Sequence, residues 1–140
     1  DDKEIFRACD ITRRVATVVQ LHQRQRLVKR QPIVCQHTAG CHNHQWRGLL
    51  EDEEITRDYQ VIAYDLPRHG KSDPPHNTEW WTKEYRLTAD HYVNFIVKLC
   101  DALELRDPIF MGSSFGGNVA LQLALRRPDR FQAPDLSGAG

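Results

Sequence analysis

The sequence has no apolar run approaching the roughly 20 residues that cross a bilayer. It also has no basic-then-apolar leader, opening instead on the acidic "DDKEIFRACD". Its single methionine is internal, at Met111, so the expectation is a processed, trimmed or partial chain. Net charge is absent too: 19 Lys and Arg balance 19 Asp and Glu. No broad attraction to nucleic acid or to an anionic membrane follows, and neither is expected as a partner. The four cysteines, Cys9, Cys35, Cys41 and Cys100, form no C-x-x-C pair. Free or buried thiols in a reducing compartment, and hence a cytoplasmic location, are expected. Internal repeats and low-complexity tracts are missing. So is any histidine beyond His91.

What is present is the composition of a globular chain, 40% hydrophobic and 27% charged, at a length of 140 residues that suits one domain. Residues 1–12 show no clear periodicity and form an N-terminal segment of unclear structure. β-Branched and apolar runs predict strands at 13–21, 25–30 (short and edge-like), 32–37 (interior), 58–65 and 108–112. Trp46, Leu49 and Leu50 share helical spacing in a short segment around 44–52. A helix over 89–104 is predicted from the stripe Tyr92, Phe95, Ile96, Leu99, Ala102 and Leu103, with Thr88 as N-cap and Asp90 in the first turn. A second helix over 116–127 is stopped by Pro128. Pro134 and Asp135 weaken any strand at 131–140. Early strands followed by alternating helix and strand mean an α/β fold with a mostly parallel sheet, over residues 13–140 as one unit. The long stretch 66–87, with three prolines and no periodicity, is a loop of the kind that carries function.

The chemistry centres on "PIFMGSSFGGNVALQLALRRP", residues 108–128. Gly112-Ser113-Ser114-Phe115-Gly116 fits G-x-S-x-G between a strand and a helix, the setting of a nucleophile elbow. Such a turn is strained and holds its nucleophile at positive φ, so its flanks must lack bulk. Gly112 and Gly116 meet that need, and Gly117 is expected to let the helix approach the sheet. Only Ser114 has glycines two residues away on both sides, which selects it over Ser113. The N–H of Phe115, at the helix N-terminus, would face developing negative charge. The plainer alternative is a Gly-rich strand-to-helix turn without chemistry.

Two further segments bear on that choice. "VCQHTAGCHNHQW" puts a His-small-small-Gly loop directly after an interior strand, where a second oxyanion N–H would come from. "VIAYDLPRHGKSDPP" places Asp65, Gly70 and Ser72 in a turn at the end of the next strand. Together the three segments resemble the α/β-hydrolase superfamily, in particular its esterase-like and C–C hydrolase-like members. The resemblance covers about residues 13–140. The family's H-G-x-x loop corresponds to His37-Thr38-Ala39-Gly40, which implies Ala39 as the oxyanion donor and His37 and Gly40 as structural residues. The family's D-x-P-G-x-G-x-S turn corresponds to residues 65–72, with Arg68 where a glycine is usual and Asp65 in a structural role. The elbow matches without departure.

The resemblance implies a serine hydrolase without cofactor or metal, acting on a small carbonyl substrate: an ester, thioester, lactone or activated C–C bond. It also implies a triad in the order nucleophile, acid, base. Yet His22, His37, His42, His44, His69, His76 and His91 all precede Ser114, and only 26 residues follow it. One strand–helix–strand unit alone takes roughly 30. The expectation is the N-terminal part of a longer hydrolase, truncated before the cap and last strands, with an unpaired sheet edge open to self-association. Ser rather than Asp at the elbow argues against epoxide- and halide-opening relatives. A non-catalytic module that keeps a hydrolase-like pocket for a ligand or partner is the alternative. Zinc at His37, Cys41, His42 and His44 has suitable ligand types at an unfamiliar spacing. Trp80 and Trp81 would line a pocket mouth or pack the long loop, and Asp129 and Asp135 fit a surface corner better than a triad acid.

Overall fold

Residues 33–35 and 61–64 are runs of apolar side chains with no polar interruption, and a strand of that kind needs cover on both faces. The computed structural model describes residues 3–7, 18–22, 30–72, 79–82, 84 and 86–132, the first two stretches as backbone and Trp80 without its side chain. The strands are β1 (Lys3–Arg7), β2 (Val18–His22), β3 (Gln31–Gln36), β4 (Tyr59–Tyr64) and β5 (Ile109–Gly112). They form one sheet in the order β1-β2-β4-β3-β5. β3 runs parallel to both β4 and β5, whereas β2 joins β4, and β1 joins β2, by antiparallel pairing. The fold class is α/β, of the α/β-hydrolase type, with its parallel part in β4-β3-β5.

Alternation along β3 and β4 divides the core in two. Val34, Ile62, Tyr64 and Leu66 face α3 (Ala89–Ala102) and α4 (Phe115–Arg126). Ile33, Cys35, Val61 and Ala63 face the other way, onto Trp46, Leu49, Leu50 and Ile55. These last side chains belong to a 3₁₀ turn (Asn43–Trp46), α1 (Arg47–Glu51) and α2 (Glu53–Asp58). The single short helix read around 44–52 is thus two pieces, the 3₁₀ turn and α1, and α2 beyond it was not predicted. Asp52 accepts from the N–H groups of Glu54 and Ile55, at 2.9 and 3.0 Å, and so starts α2 afresh.

Thr88 caps α3 as predicted, accepting from the His91 N–H at 3.2 Å. Its buried face holds Tyr92, Phe95, Ile96 and Leu99, widened by Val93, Val97 and Cys100. Ala102, read as part of that stripe, is exposed. The helix has ended there: Leu105 N–H closes back on the Cys100 carbonyl at 2.9 Å, with Glu104 left-handed at φ 54°. Lys3–Arg7, for which no element was predicted, is a strand of the sheet. The predicted strand at 13–21 overlaps β2, its first part lying outside the described residues. The predicted strand at 25–30 and the weak one at 131–140 lie almost wholly outside them. Arg30, Phe131 and Gln132, their described members, are not in strands.

Among the described residues β5 pairs with β3 alone. Met111 on β5 and Leu121 and Leu125 on α4 are exposed. No described helix is long and apolar enough to cross a membrane. Leu99, fully buried in the larger core, and Leu125, 77% exposed, set up a paired test. Leu99→Ala should cost about 2–5 kcal/mol in urea unfolding. Leu125→Ala should stay within about 0.5 kcal/mol of the parent.

Candidate active site

Parallel pairing brings the C-terminal ends of β3, β4 and β5 to one edge of the sheet, and the register brings them level. Gln36 stands opposite Tyr64 on one side and Gly112 on the other. The next residues along each strand, His37, Asp65 and Ser113, therefore begin three neighbouring loops. In open α/β sheets this edge is where ligands bind.

The β5 loop is a turn of two residues, Ser113 and Ser114. Ser114 sits at φ 55° and ψ −113°, a left-handed conformation that a non-glycine residue holds at a cost of about 1–3 kcal/mol. It is the N-cap of α4, and serine usually caps by accepting from the first helical N–H groups. The Ser114 side chain makes no such bond and is exposed, so its hydroxyl is not committed to holding the helix. The carbonyls of Ser113 and Ser114 take the N–H groups of Gly116 and Gly117, each at 2.9 Å. The N–H of Phe115, between them, donates to no acceptor among the described residues. The Phe115 ring is held edge-on against Tyr92, centroids 5.6 Å apart.

The glycines explain how so tight a turn fits. A Cβ on Gly112 would lie 2.2 Å from the Gly116 carbonyl oxygen, and one on Gly116 would lie 2.7 Å from the Gln36 carbonyl oxygen. A Cβ on Gly117 would meet nothing closer than 3.9 Å, an ordinary contact. The close approach of helix to sheet therefore rests on Gly116, not on Gly117 as the sequence pattern suggested.

The β3 loop is anchored by His37, which is fully buried. Its Nε2 accepts from the Leu66 N–H at 3.1 Å, which leaves the proton on Nδ1, donated to the Thr38 carbonyl at 2.8 Å. Burial pushes its pKa below the usual histidine value, against the pull of the Thr38 carbonyl, and His69, 5.1 Å away between ring centroids, pushes the same way. Both nitrogens are engaged, and neither is presented to Ser114. Thr38 N–H donates to Gln45 Oε1 at 2.7 Å, Ala39 is exposed, and Gly40 turns the chain at φ 71°. The Ala39 N–H, like that of Phe115, donates to no acceptor among the described residues.

Asp65 ties the β4 turn to the β3 loop. Its Oδ1 accepts from the Asn43 backbone and side-chain N–H groups at 2.6 and 2.9 Å, and its Oδ2 from Lys71 N–H at 2.9 Å. Its carbonyl accepts from Ser72 Oγ at 2.7 Å. Gly70 passes so close that a Cβ there would lie 2.4 Å from Oδ2. Arg68, in the place of a usual glycine, adopts the left-handed conformation a glycine would ease, at φ 67°.

Other candidates stay apart. His42 and His44 meet edge to face at 5.0 Å, with His42 Nδ1 accepting the His44 N–H. Among the described residues no three metal-binding side chains converge. Trp81 is exposed. Asp129 lies at the surface, where its hydrogen bonds to Arg127 hold its carboxyl below the usual range. Asp135 lies outside the described residues. Cys35 and Cys100 are buried thiols pushed up to about 12, and Cys41 is half-buried and unpaired; Cys9 lies outside the described residues. Sequence reasoning missed Gln36, Tyr64, Asn43 and Gln45. Gln36 is fully buried, its Oε1 taking the Tyr64 hydroxyl and its Nε2 donating to the His37 carbonyl at 2.8 Å. A lone amide closing an interior apolar strand was the one signal available.

Two expectations follow. Gly112→Ala should lose about 1–3 kcal/mol or more in chemical denaturation because backbone must shift, whereas Gly48→Ala, in open space within α1, should gain about 0.5–1 kcal/mol. The folded state binds a proton on His37 less readily than the unfolded chain. Stability from this group is therefore full above the ordinary histidine pKa and lost as pH falls below about 6.5. Urea midpoints at about pH 7.5 and pH 5.5 should diverge more for the parent than for His37→Asn.

A profile of the alpha/beta hydrolase fold family matches residues 31–138. The 2-hydroxymuconate semialdehyde hydrolase of Pseudomonas sp. (strain CF600) is 33% identical over 94 residues, 67% of this chain and 30% of that protein. A strigolactone esterase of Pisum sativum is 30% identical over 107 residues, 76% of this chain and 38% of that protein. The chain thus spans about a third of the length of these curated relatives. A solved meta-cleavage product hydrolase from Pseudomonas fluorescens superposes with a TM-score of 0.66 at 28% identity, covering 84% of this chain and 39% of that one. A hydrolase from Pseudomonas aeruginosa has the same fold, with a TM-score of 0.72 at 24% identity, over 93% of this chain and 43% of that one. Three loops gathered at one sheet edge and a profile match over most of the sequence agree: the chain belongs to the alpha/beta hydrolase fold family.

Proposed function

We propose that the chain carries the nucleophile and oxyanion half of a serine hydrolase acting on a small ester, thioester, lactone or activated C–C bond. The observation that carries this reading is Ser114 itself: left-handed at the head of α4, exposed, and with a hydroxyl not engaged in capping. Ser114 Oγ attacks the carbonyl carbon of the substrate, and its proton passes to a histidine supplied from outside these 140 residues. The carbonyl oxygen becomes an oxyanion held by the N–H groups of Ala39 and Phe115. Collapse expels the leaving group and leaves an acyl group on Ser114, which water then removes. The relatives support the substrate class, since they include a strigolactone esterase and a meta-cleavage product hydrolase.

The second reading is a binding module with a hydrolase-like pocket and no turnover. One observation favours it: His37, at the end of the strand beside β5, has both nitrogens committed to backbone groups. Fluorophosphonate labelling separates the two, applied to this chain, to any longer chain containing it, and to Ser114→Ala in each. Labelling that requires Ser114 and occurs in the longer chain is the expected result. Absence of labelling in every form would favour the binding module.

A further inference from the structure

Two successive peptide units lie between His37 and Ala39, and side chains hold both. In the first, the His37 carbonyl accepts from Gln36 Nε2 at 2.8 Å and the Thr38 N–H donates to Gln45 Oε1 at 2.7 Å. In the second, the Thr38 carbonyl accepts from His37 Nδ1 at 2.8 Å and from the Cys41 N–H at 3.2 Å. A trans peptide is planar, and its N–H points opposite its C=O. Fixing the Thr38 carbonyl therefore fixes the direction of the Ala39 N–H, the one group of these two units that donates to no acceptor among the described residues.

From this we infer that Gln36 and Gln45 are positioning residues for the Ala39 N–H. They act through the His37–Thr38 peptide, and the inference rests on the oxyanion role proposed above. Gln36 is set from behind: the Tyr64 hydroxyl occupies its Oε1, so its amide can only present N–H to the His37 carbonyl. Gln45 comes from the opposite side, on the 3₁₀ turn whose first residue, Asn43, is held by Asp65. The loop is therefore braced between β3 and the 43–46 turn before any substrate arrives. Pre-aimed donors of this kind lower a barrier because they need not reorient as charge develops.

Gln45 is exposed, so its variants should fold. Gln45→Met removes the acceptor for the Thr38 N–H, and Gln45→Glu keeps one. The readouts are the rate of Ser114 phosphonylation by a fluorophosphonate, amide hydrogen exchange at Thr38, and the thermal midpoint, in the longest chain that carries these residues. We expect Gln45→Met to speed Thr38 exchange and slow phosphonylation about tenfold, since losing a whole oxyanion donor costs about 10²–10³. Gln45→Glu should restore both, at an unchanged midpoint. Gln36→Met, read the same way, should slow phosphonylation at least as much. Faster Thr38 exchange with phosphonylation at the parent rate would overturn the inference while leaving the nucleophile reading intact. A parent chain that is never phosphonylated at Ser114 would sink both together.

Discussion

The site depends on one steric constraint: three backbone segments meet where no side chain fits. The first turn of α4 presses on the end of β5 through Gly116 and Gly112, and on the end of β3 through Gly116 and Gln36. These contacts bring a helix N-terminus directly over the edge of a parallel sheet. The short path between them forces Ser114 into its left-handed conformation. Strain at that serine is then a consequence of packing, sustained because the surrounding core over-determines the turn. Val119 and Leu123 of α4, both buried in the core shared with α3 and the sheet, hold the helix down along its length.

Around that contact, polar groups do what apolar packing cannot. Strand ends at a sheet edge leave N–H and C=O groups without ladder partners, and buried ones must find others. His37 takes the Leu66 N–H, Asp65 takes those of Asn43 and Lys71, and Gln36 caps the His37 carbonyl. The Leu66 and Asn43 bonds join the β3 loop to the β4 loop, and the Lys71 bond closes the β4 turn on itself, so these two loops form a braced unit. The N–H groups of Ala39 and Phe115 are among those that donate to no acceptor among the described residues. They flank Ser114 from the β3 loop and from the head of α4, which is where the proposed oxyanion role places them.

The sequence made the larger part of this legible because periodicity and glycine placement act locally. The stripe on α3, the Thr88 cap and the G-x-S-x-G turn at Ser114 are each written in a dozen residues or fewer. What escaped depends on distance in the chain. Asn43 is 22 residues from the Asp65 that holds it, and Tyr64 is 28 from Gln36. Neither pairing leaves a periodic trace. Among the described residues the edge strand β1 pairs with β2 alone, by backbone bonds that no local pattern encodes. The division of labour between Gly116 and Gly117 was hidden for a similar reason. Adjacent glycines look alike in sequence, and only the Gln36 carbonyl distinguishes them.

His37 shows why loop geometry and proton handling separate in such a site. A general base must be free at one nitrogen and titrate near the working pH. His37 is suited to the opposite task. Leu66 N–H fixes its tautomer, and burial lowers its pKa and so favours the neutral ring, with the Nδ1 proton donated to the Thr38 carbonyl. Protonation would set two donors, Nε2–H and the Leu66 N–H, against each other in a buried space and break the brace. The burial that makes His37 a dependable anchor thus disqualifies it as the acceptor of the Ser114 proton.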